Sequence, residues 1–345
     1  MLLSDFDYTY PKELVAQQPL PVRDASRMMV VDRAKGSWKH SCVASLPDFL
    51  HEGDLVVFNN SKVVPARLFG KRGTGEDIEL LVVEPAPEAK DVWRCLLKRA
   101  KRIRTGENLF FGMQSKATAK GHDGIYLLVE FKGDSLKLAT EHHGVPPLPP
   151  YIDRKGYDAY TDEDRERYQT IYAQSPGSAA APTAGLHFSD DLIQAIKTKG
   201  AKLESVTLHV GIDTFAPVRT EKIKEHKIHG ERIEISESTA RQVMRAKEEG
   251  RRVIAIGTTT MRALESATRE DNSLQHGTWT TDLYITPGYN FKIVDAMLTN
   301  FHQPKSTLLM MISAFAGREF ILSCYDEAIR ERYRLFSYGD CMLIL

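Results

Sequence analysis

The second half of the chain alternates short apolar runs with stretches in which apolar residues recur at helical spacing. Ser189 precedes two acidic residues and an amphipathic stretch, which predicts a helix that ends at Gly200. The run VIAIG at 253–257 predicts a short buried strand, and the stretch after it predicts a helix. Because strands alternate with helices, the pattern indicates a largely parallel sheet with helices on its faces.

The same patterns predict further elements. Ser236, like Ser189, is a residue type that caps helix starts, and Gly250 is suited to end the helix that follows it. Additional strands are expected at 203–210, 282–285, 291–298 and 341–345, and additional helices from Lys305 to Ala316 and from Glu319 to Tyr333.

Residues 67–145 show a different pattern. Short strand-like runs such as DIELLVVEP and GIYLLVEF are separated by glycine or charged turns, and no helical period is present. Such spacing is typical of a small all-β barrel. We therefore predict a three-layer α/β/α main domain of residues 1–66 and 146–345, with an inserted small all-β barrel domain at 67–145. The proline-rich segment at 145–154 would make the return crossing.

The charge balance limits the partners that the chain attracts. Among its 345 residues, 46 Lys and Arg balance 46 Asp and Glu, so no global field draws in a nucleic acid. The run RCLLKRAKRIR at 94–104 holds six positive charges and no acid. A solvated hairpin face is the usual explanation of such a run. On a neutral protein it is also the best candidate for a nucleic-acid contact, through Arg99, Lys101, Arg102 and Arg104.

Cysteine and histidine spacing gives little support for a metal site. The four cysteines include no Cys-x-x-Cys pair and form no disulfide framework. His142 and His143 are adjacent and would face different ways on a strand. His226 and His229 have no obvious carboxylate partners, so surface histidines are the better interpretation and no metal site is predicted.

The chain is expected to be a soluble, cytoplasmic monomer without membrane contact. Asp5 and Asp7 stand where a signal peptide would need a cationic and then an apolar run. The most apolar stretch, at 308–316, has about half the length that a membrane span needs.

Three polar loops carry the candidate chemistry. PGSAAAPTAGLHF at 176–188 places small residues before His187, GTTTMR at 257–262 places hydroxyls between a strand and a helix, and TNFHQPKSTLL at 299–309 holds His302 before a helix. Ligands of open α/β sheets bind at the carboxyl ends of strands, and helix starts offer free N–H donors. A packed histidine, or threonines that cap a helix, would explain the same residues without a ligand.

Long, ordered motifs run along the whole chain. They are FDYTYPKELVAQQPLPVRDASRMMVVDR and VPARLFG near the N-terminus, PPLPPYIDR, DRERYQTIYAQSPGSAAAPTAGLHF and TLHVG in the middle, and GTTTMRALES, TNFHQPKSTLLMMISAFAGRE and RYRLFSYGDCMLIL in the final third. In this order they resemble the S-adenosylmethionine:tRNA ribosyltransferase-isomerase family of queuosine biosynthesis. The resemblance implies an α/β domain with an inserted β-barrel.

The resemblance also implies a reaction. The ribosyl group of S-adenosylmethionine would be transferred to, and isomerised on, the 7-aminomethyl-7-deazaguanine base at the wobble position of a tRNA. The product would be epoxyqueuosine in tRNA, with adenine and methionine released. S-adenosylmethionine is consumed as a co-substrate, and no further cofactor is implied.

The implied reaction gives roles to the residues in the loops. A general base must remove a proton beside the sulfonium, and adenine leaves more easily when an acid protonates it. Imidazoles can serve both tasks near pH 7. We expect His187, His209 and His302 to serve, without distinguishing base from acid. The expected substrate contacts are ribose-binding hydroxyls, groups for the methionine carboxylate, aromatic rings for the splayed base, and one strand-end amide. They are Thr258, Thr259 and Thr260 for the ribose, either Arg262 or the turn of Lys305, Ser306 and Thr307 for the carboxylate, either Tyr168 or Phe188 for the base, and Asn300.

The chain departs from the family pattern at three places. Asp213 and Ala216 stand where the family usually has Gly and Arg, which removes a cation beside His209. Arg99-Ala100 replaces a Pro-Gly pair, and Asn60-Ser61-Lys62 replaces Asp-Thr-Arg. The first departure predicts weaker tRNA or substrate contacts, and the second affects a turn without removing charge.

Two other functions remain open from the sequence. A tRNA methyltransferase would use the same co-substrate and form S-adenosylhomocysteine, but the sequence lacks the glycine-rich Rossmann turn. A non-catalytic RNA-binding module would bind tRNA in a salt-sensitive way and turn over no small molecule.

Overall fold

The computed structural model describes residues 1–87, 89–113, 115–211, 217–228, 230–271 and 273–345. These residues form two compact units. The first contains Met1–Lys62, Pro149–Ile152 and Gln169–Leu345, and the second contains Val63–Leu148 and Asp153–Tyr168.

Strands and helices alternate along the first unit, whereas the second unit consists mostly of strands. The strands are β1 (Arg27–Asp32), β2 (Ser37–Cys42), β3 (Leu55–Asn59), β4 (Ser61–Val63), β5 (Arg67–Arg72), β6 (Asp77–Pro85), β7 (Val92–Leu97), β8 (Asn108–Phe111), β9 (Ser115–Asp123), β10 (Tyr126–Phe131), β11 (Gly144–Val145), β12 (Ser175–Ser178), β13 (Lys202–Leu208), β14 (Glu231–Ile235), β15 (Val253–Ile256), β16 (Gly277–Thr281), β17 (Ala296–Asn300) and β18 (Cys341–Ile344). The helices are α1 (Ser135–His143), α2 (Asp162–Arg167), α3 (Asp190–Thr198), α4 (Glu237–Glu248), α5 (Thr258–Ser266), α6 (Thr307–Ala316) and α7 (Arg318–Arg330).

Serine caps start three of these helices. The hydroxyl of Ser189 accepts a hydrogen bond from the backbone N–H of Leu192, and Ser236 and Ser306 do the same for α4 and α6. Each bond satisfies an N–H group that a helix start would otherwise leave unpaired. The helix starts predicted after Ser189 and Ser236 are therefore confirmed.

The first unit contains a nine-stranded sheet in the order β16-β14-β13-β3-β15-β17-β18-β1-β2. The central strands β13, β3, β15 and β17 are parallel, but β18 is antiparallel to β17, and β14 is antiparallel to β13. The prediction of a largely parallel sheet was wrong, because the sheet is mixed. Two successive helices, α6 and α7, return the chain to the sheet edge that β17 left, so β18 enters in the opposite direction.

Alternate residues of the central strands point to opposite faces of this sheet. On β3, Val56 and Phe58 join a cluster with Leu46 and α3, whereas Val57 joins a cluster with α4, α5, α6 and α7. Both faces are thus covered, and the predicted three-layer arrangement is confirmed.

The second unit contains a closed barrel. Strands β5, β6, β7, β10, β9 and β8 pair in this order, and β5 also pairs with β8 to close the ring. Its core holds buried side chains from all six strands. The predicted all-β barrel is confirmed, but the expectation of no helix there was wrong, because α1 occupies Ser135–His143. His142 and His143 therefore lie on a helix and not on a strand.

Two predicted strands differ from the structure. Residues 282–285 form no strand, and β16 precedes them at Gly277–Thr281. The strand expected at 291–298 is confined to Ala296–Asn300. Ile285, Ile293 and Val294 are buried in irregular chain that packs on the sheet, and buried loop residues have the same apolar pattern as a short strand.

Candidate active site

Polar side chains collect where the central strands of the nine-stranded sheet end. Asn59 ends β3, Gly257 and Thr258 follow β15, and Asn300 ends β17. Because these strands are parallel, their carboxyl ends lie at one edge of the sheet. This is the edge at which open α/β sheets bind ligands.

Asn300 connects this edge to His187. Its Nδ2 lies 3.2 Å from His187 Nε2 and also donates to the carbonyl oxygens of Phe336, at 3.2 Å, and Asp340, at 3.5 Å. Two carbonyl acceptors require the nitrogen, not the oxygen, of the amide at this position. His187 Nε2 is therefore an acceptor, and its proton lies on Nδ1.

The oxygen of the same amide has a different environment. Asn300 is 2% exposed, and its Oδ1 has no hydrogen-bond partner among the described residues. An unpaired buried acceptor is costly in a folded protein. Asn300 lines two cavities. Its oxygen is thus available to a donor on a bound molecule.

His302 is held in the loop that follows β17. Its Nε2 lies 2.8 Å from Thr299 Oγ1. Its backbone N–H donates to the Tyr325 hydroxyl at 2.8 Å, and its carbonyl oxygen accepts from the Tyr8 hydroxyl at 2.5 Å. Both the imidazole and the backbone of His302 are therefore fixed.

Burial makes both histidines weakly basic. Burial, with the positive charges of Arg334 and Arg23, lowers the pKa of His187 to about 4. Burial alone lowers the pKa of His302 to about 3. Both imidazoles are neutral near pH 7.

Two adjoining cavities are both lined by Asn300 and His302. They share Thr183, Asn300, His302 and Leu308 as lining residues. One is completed by aromatic and small polar side chains, and the other by the 181–184 loop and the start of α5. Residues of the first are Tyr151, Phe301, Gln303, Ser306, Phe336 and Ser337, and residues of the second are Ala181, Pro182, Ala184, Val210, Gly257, Thr258, Thr259 and Thr299.

The start of α5 lines the second cavity. Gly257 has a φ of +91°, which favours glycine, and this conformation turns the chain from β15 directly into the helix. Thr259 Oγ1 accepts from the Asn59 side chain at 3.2 Å. Thr260 Oγ1 donates to the carbonyl oxygen of Ile256 at 2.7 Å and is fully buried. Thr258 and Thr259 thus line the cavity, whereas the Thr260 hydroxyl is used within the helix.

His209 lies apart from His187 and His302. It follows β13, which two strands separate from β17. Like His187, which reaches the cavities only through Asn300, it is absent from the lining of both cavities. Its Nδ1 is buried without a partner among the described residues. Gly177, at φ +139°, approaches it so closely that an added Cβ would lie 2.8 Å from Nδ1. Burial and the charge of Arg232 lower the pKa of His209.

The predicted cations of the site have protein partners. Arg262 Nη1 lies 2.6 Å from Glu231 Oε2, in a pair that is buried on both sides. Lys305 Nζ lies 2.6 Å from Asp7 Oδ2. The structure brings neither cation into the cavity lining. Ser306 lines the first cavity, but its hydroxyl caps α6 and donates to the Gln303 carbonyl, and Thr307 begins the helix.

The two predicted stacking rings are buried. Phe188 is 0% exposed and meets Phe58 edge-on at 5.2 Å in the core. Tyr168 is also 0% exposed and belongs to the barrel unit. Neither ring presents a face to solvent.

The basic run of the barrel forms an exposed turn after β7. Arg99 adopts a left-handed conformation with φ +61°, which begins the turn where Arg99-Ala100 replaces Pro-Gly. Arg99, Lys101, Arg102 and Arg104 are all exposed. Arg94, by contrast, pairs with Glu84 and Asp123.

Residues 3–344 match the family model described as "Queuosine biosynthesis protein". This chain belongs to the queuosine biosynthesis protein family. A protein of Syntrophotalea carbinolica, named S-adenosylmethionine:tRNA ribosyltransferase-isomerase, is 47% identical over 100% of both chains. A protein of Natranaerobius thermophilus with the same name is 46% identical over 100% of this chain and 99% of its own. The predicted family, and the predicted class of transferase and isomerase in queuosine biosynthesis, are confirmed.

A crystal structure supports the fold of this family member. The S-adenosylmethionine tRNA ribosyltransferase of Thermotoga maritima is 34% identical, with a TM-score of 0.56 over 99% of this chain and 100% of its own. The likeness agrees with the predicted α/β fold and its barrel.

The sequence analysis did not identify several residues of the candidate site. Tyr8 and Tyr325 are far from His302 in sequence, and only folding brings them to its backbone. Tyr151 and Phe336 reach the first cavity from equally distant segments. Thr299 was within reach, because it directly precedes Asn300 in the motif TNFHQ.

Some earlier expectations cannot be placed in the structure. Asp213, Ala216 and His229 lie outside the described residues. Among the residues that the structure does describe, no group of three or more His, Cys, Asp or Glu side chains is arranged to hold a metal ion.

Helix lengths also bear on the membrane question. Within the described ranges, no single helix is long and apolar enough to cross a bilayer, and α6 with α7 meets the length and composition criteria only as a pair bent by 113°.

Proposed function

We propose that this enzyme transfers and isomerises the ribosyl group of S-adenosylmethionine onto 7-aminomethyl-7-deazaguanine at the wobble position of a tRNA. The products would be epoxyqueuosine in tRNA, adenine and methionine. The names of the relatives, at 44–47% identity over nearly the whole chain, support this substrate pair. The observation that carries the proposal is the buried cluster of His187, Asn300 and His302 at the carboxyl end of β17.

The two histidines of this cluster are placed for different tasks. His302 lines both cavities with a neutral imidazole, so we assign it as the general base that removes the proton beside the sulfonium. His187 receives a hydrogen bond at Nε2 and carries its proton on Nδ1. We assign it as a neutral hydrogen-bond donor to the leaving adenine. His209 remains a third proposed catalytic residue.

The proposed substrate contacts differ in whether their side chains already bond other protein groups. Thr258, Thr259 and the backbone N–H groups at the start of α5 would hold ribose hydroxyls or the methionine carboxylate. Asn300 Oδ1 would accept from a substrate donor. The remaining proposed contacts would have to exchange a protein partner or move from the core. They are Thr260, Arg262, Lys305, Ser306, Thr307, Tyr168 and Phe188.

The barrel would bind the tRNA. Arg99, Lys101, Arg102 and Arg104 are exposed on one turn of a protein with no net charge, and they would contact phosphates. Further proposals are a cytoplasmic monomer, S-adenosylmethionine as the only small co-substrate, and a discontinuous α/β domain that is interrupted by the barrel domain.

Chromatography for free adenine tests the reaction. The protein is incubated with S-adenosylmethionine and tRNA that carries the aminomethyl-deazaguanine base, and with unmodified tRNA as the control. We expect adenine only with the modified tRNA. S-adenosylhomocysteine in place of adenine would indicate a methyltransferase. Folded protein that binds tRNA but forms neither product would indicate a binding module.

Substitution of the cluster tests the site. Asn300→Ala removes the amide that orients His187, and we expect adenine release to fall by about 100-fold or more. His187→Ala and His302→Ala should each abolish release while the proteins stay folded. The matched control is Asn60→Ala, whose side chain follows β3 but bonds Thr207 outside the cavities. Wild-type rates in all three cluster variants would refute the site.

A further inference from the structure

Residues Asp5–Tyr8 cross the loop that carries His302, and we refer to them as the N-terminal strap. The carbonyl oxygen of Phe6 accepts from the backbone N–H of Lys305 at 2.8 Å. Asp7 Oδ2 pairs with Lys305 Nζ at 2.6 Å, and Tyr8 donates its hydroxyl proton to the His302 carbonyl at 2.5 Å. Three consecutive strap residues therefore bond two positions of one loop.

The strap is itself anchored in the molecule. Phe6 is 0% exposed and belongs to the same buried core cluster as residues of β13 and α7. Asp5 lies 3.6 Å from Arg318 at the start of α7. The strap therefore links the loop to the rigid layer of helices.

Tyr325 of α7 completes the grip on His302. Its hydroxyl oxygen accepts from the His302 backbone N–H at 2.8 Å, while the Tyr8 hydroxyl bonds the carbonyl of the same residue. The two rings meet edge-on, with centroids 4.9 Å apart at 71°. Each backbone polar group of His302 is thus hydrogen-bonded to a different tyrosine, and the two tyrosine rings pack against each other.

The grip is needed because His302 lies outside regular structure. A loop residue has no ladder or helix partner for its N–H and C=O groups, and the whole residue is 8% exposed. Without the two hydroxyls, the peptide planes on both sides of His302 would be free to rotate. The imidazole would then leave the position from which it faces both cavities.

We propose that Tyr8 and Tyr325 are positioning residues that hold His302 in its reactive orientation. The inference rests on the proposed function in treating His302 as the base. It adds a role for the N-terminal strap, which touches neither cavity in the described structure. The Tyr8 hydroxyl bonds His302 and not Lys305, so the effect of Tyr8 on catalysis is exerted through His302.

Tyr8 keeps its donor role over a wide pH range. Burial, together with the neighbouring Tyr325 and Tyr10, raises the pKa of the Tyr8 hydroxyl far above its ordinary value of 10.0. The hydroxyl stays protonated at every pH at which the enzyme would be assayed.

Tyr8→Phe is the decisive variant, because it removes one hydroxyl and leaves the ring in place. We expect kcat for adenine release to fall by about 10- to 100-fold, since small displacements of a catalytic group have effects of this size. The KM for each substrate should stay within about twofold, because Tyr8 lines neither cavity. Tyr325→Phe should reproduce the split between kcat and KM.

Tyr10→Phe is the matched control. Tyr10 lies two residues along the chain and packs on Tyr8 and Phe336, but its hydroxyl bonds none of the described residues. The melting temperatures of the Tyr8 and Tyr10 variants should stay within about 3 °C of the wild type. Only the Tyr8 variant should lose kcat.

Hydrogen exchange of the substrate-free protein supplies a second readout that needs no activity. Tyr8→Phe should speed amide exchange in the 301–306 segment, and Tyr10→Phe should not. Wild-type kcat in the Tyr8 variant overturns the proposal, whether or not exchange changes. A wild-type enzyme that releases no adenine refutes the proposed function instead, and unchanged exchange at 301–306 would then refute the strap independently.

Discussion

The amide of Asn300 shows how one side chain sets the chemistry of another. Its nitrogen faces two carbonyl oxygens and one imidazole nitrogen, so the imidazole of His187 accepts there. A carboxylate at this position would repel both carbonyl oxygens and invert the tautomer of His187. The residue type at position 300 therefore decides which nitrogen of His187 carries the proton.

The buried histidines should make stability depend on pH. Their pKa values in the folded protein, about 4 for His187 and about 3 for His302, lie below the ordinary 6.5. The unfolded chain therefore binds more protons than the folded protein between pH 6.5 and these lower pKa values. The stabilisation that the neutral histidines give the folded protein is complete above pH 6.5 and is lost as the pH falls towards 4. For His187 alone the loss is about 3 kcal/mol.

Urea unfolding at pH 7.5, 6 and 5 measures this contribution. The free energy of unfolding should fall less steeply with acidification in His187→Asn than in the wild type. His276→Gln is the control, because His276 is exposed. Equal slopes in the wild type and the His187 variant would contradict the burial argument.

At the scale of elements, one buried ion pair joins α5 to β14. Arg262 and Glu231 are each 7% exposed in their side chains, and Glu231 also accepts from the backbone N–H of Gly211. This pair holds the helix whose first residues line the second cavity. Arg262 thus supports the cavity from behind.

Glu231→Gln should be strongly destabilising. The variant keeps the side-chain shape but leaves the buried Arg262 charge with only the exposed Asp282 as a nearby counter-charge, which costs about 3 kcal/mol. Denaturant unfolding of the variant measures this cost. Glu237→Gln breaks an exposed pair with Arg241 and should change stability by about 0.5 kcal/mol or less. Equal effects of the two substitutions would show that the buried pair is not special.

Local signals predicted most helices and strands, because caps and periodicity are properties of neighbouring residues. The serine caps of α3 and α4 and the run of β15 are of this kind. The direction of β18 depends on a double helical return, and the burial of Ile285 in irregular chain depends on contacts far away in sequence. Neither is encoded in a short window of residues.

The site was predictable to the same extent. Loops with histidines and small residues indicated His187 and His302, and the structure joins His187 to Asn300. The ion pair between Arg262 and Glu231 could not be predicted, because the two residues are 31 positions apart in sequence. Tyr8 was hidden for the same reason, since 294 residues separate it from His302.

At the scale of the whole molecule, charge is balanced overall but not locally. With 46 basic and 46 acidic residues, long-range attraction of a polyanion has to come from clusters. The turn at 99–104 is such a cluster, with its cations exposed. The strength of tRNA binding should therefore depend on a few residues and on salt.

Reversal of charge at Arg99, Lys101 and Arg102 tests this dependence. We expect the tRNA dissociation constant to rise about tenfold or more at low salt, and the slope of log K against log salt to flatten by about 2. Filter binding over a salt series gives both values. The control reverses three exposed cations of the other unit, Lys197, Lys199 and Lys202, and changes the net charge equally. Equal losses in both triple variants would mean that net charge, not the turn, governs binding.

The position of β18 between β17 and β1 has a consequence for synthesis of the protein on the ribosome. The hairpin of β1 and β2 joins the rest of the sheet through β18, and Met28 pairs with Cys341, 313 residues later. At about 5 to 20 residues per second, the ribosome needs about 15 to 60 s between the two. Throughout that time the apolar residues of β1 cannot pair with β18. A nascent chain of this protein would thus depend on chaperones at its first strand more than at any later one.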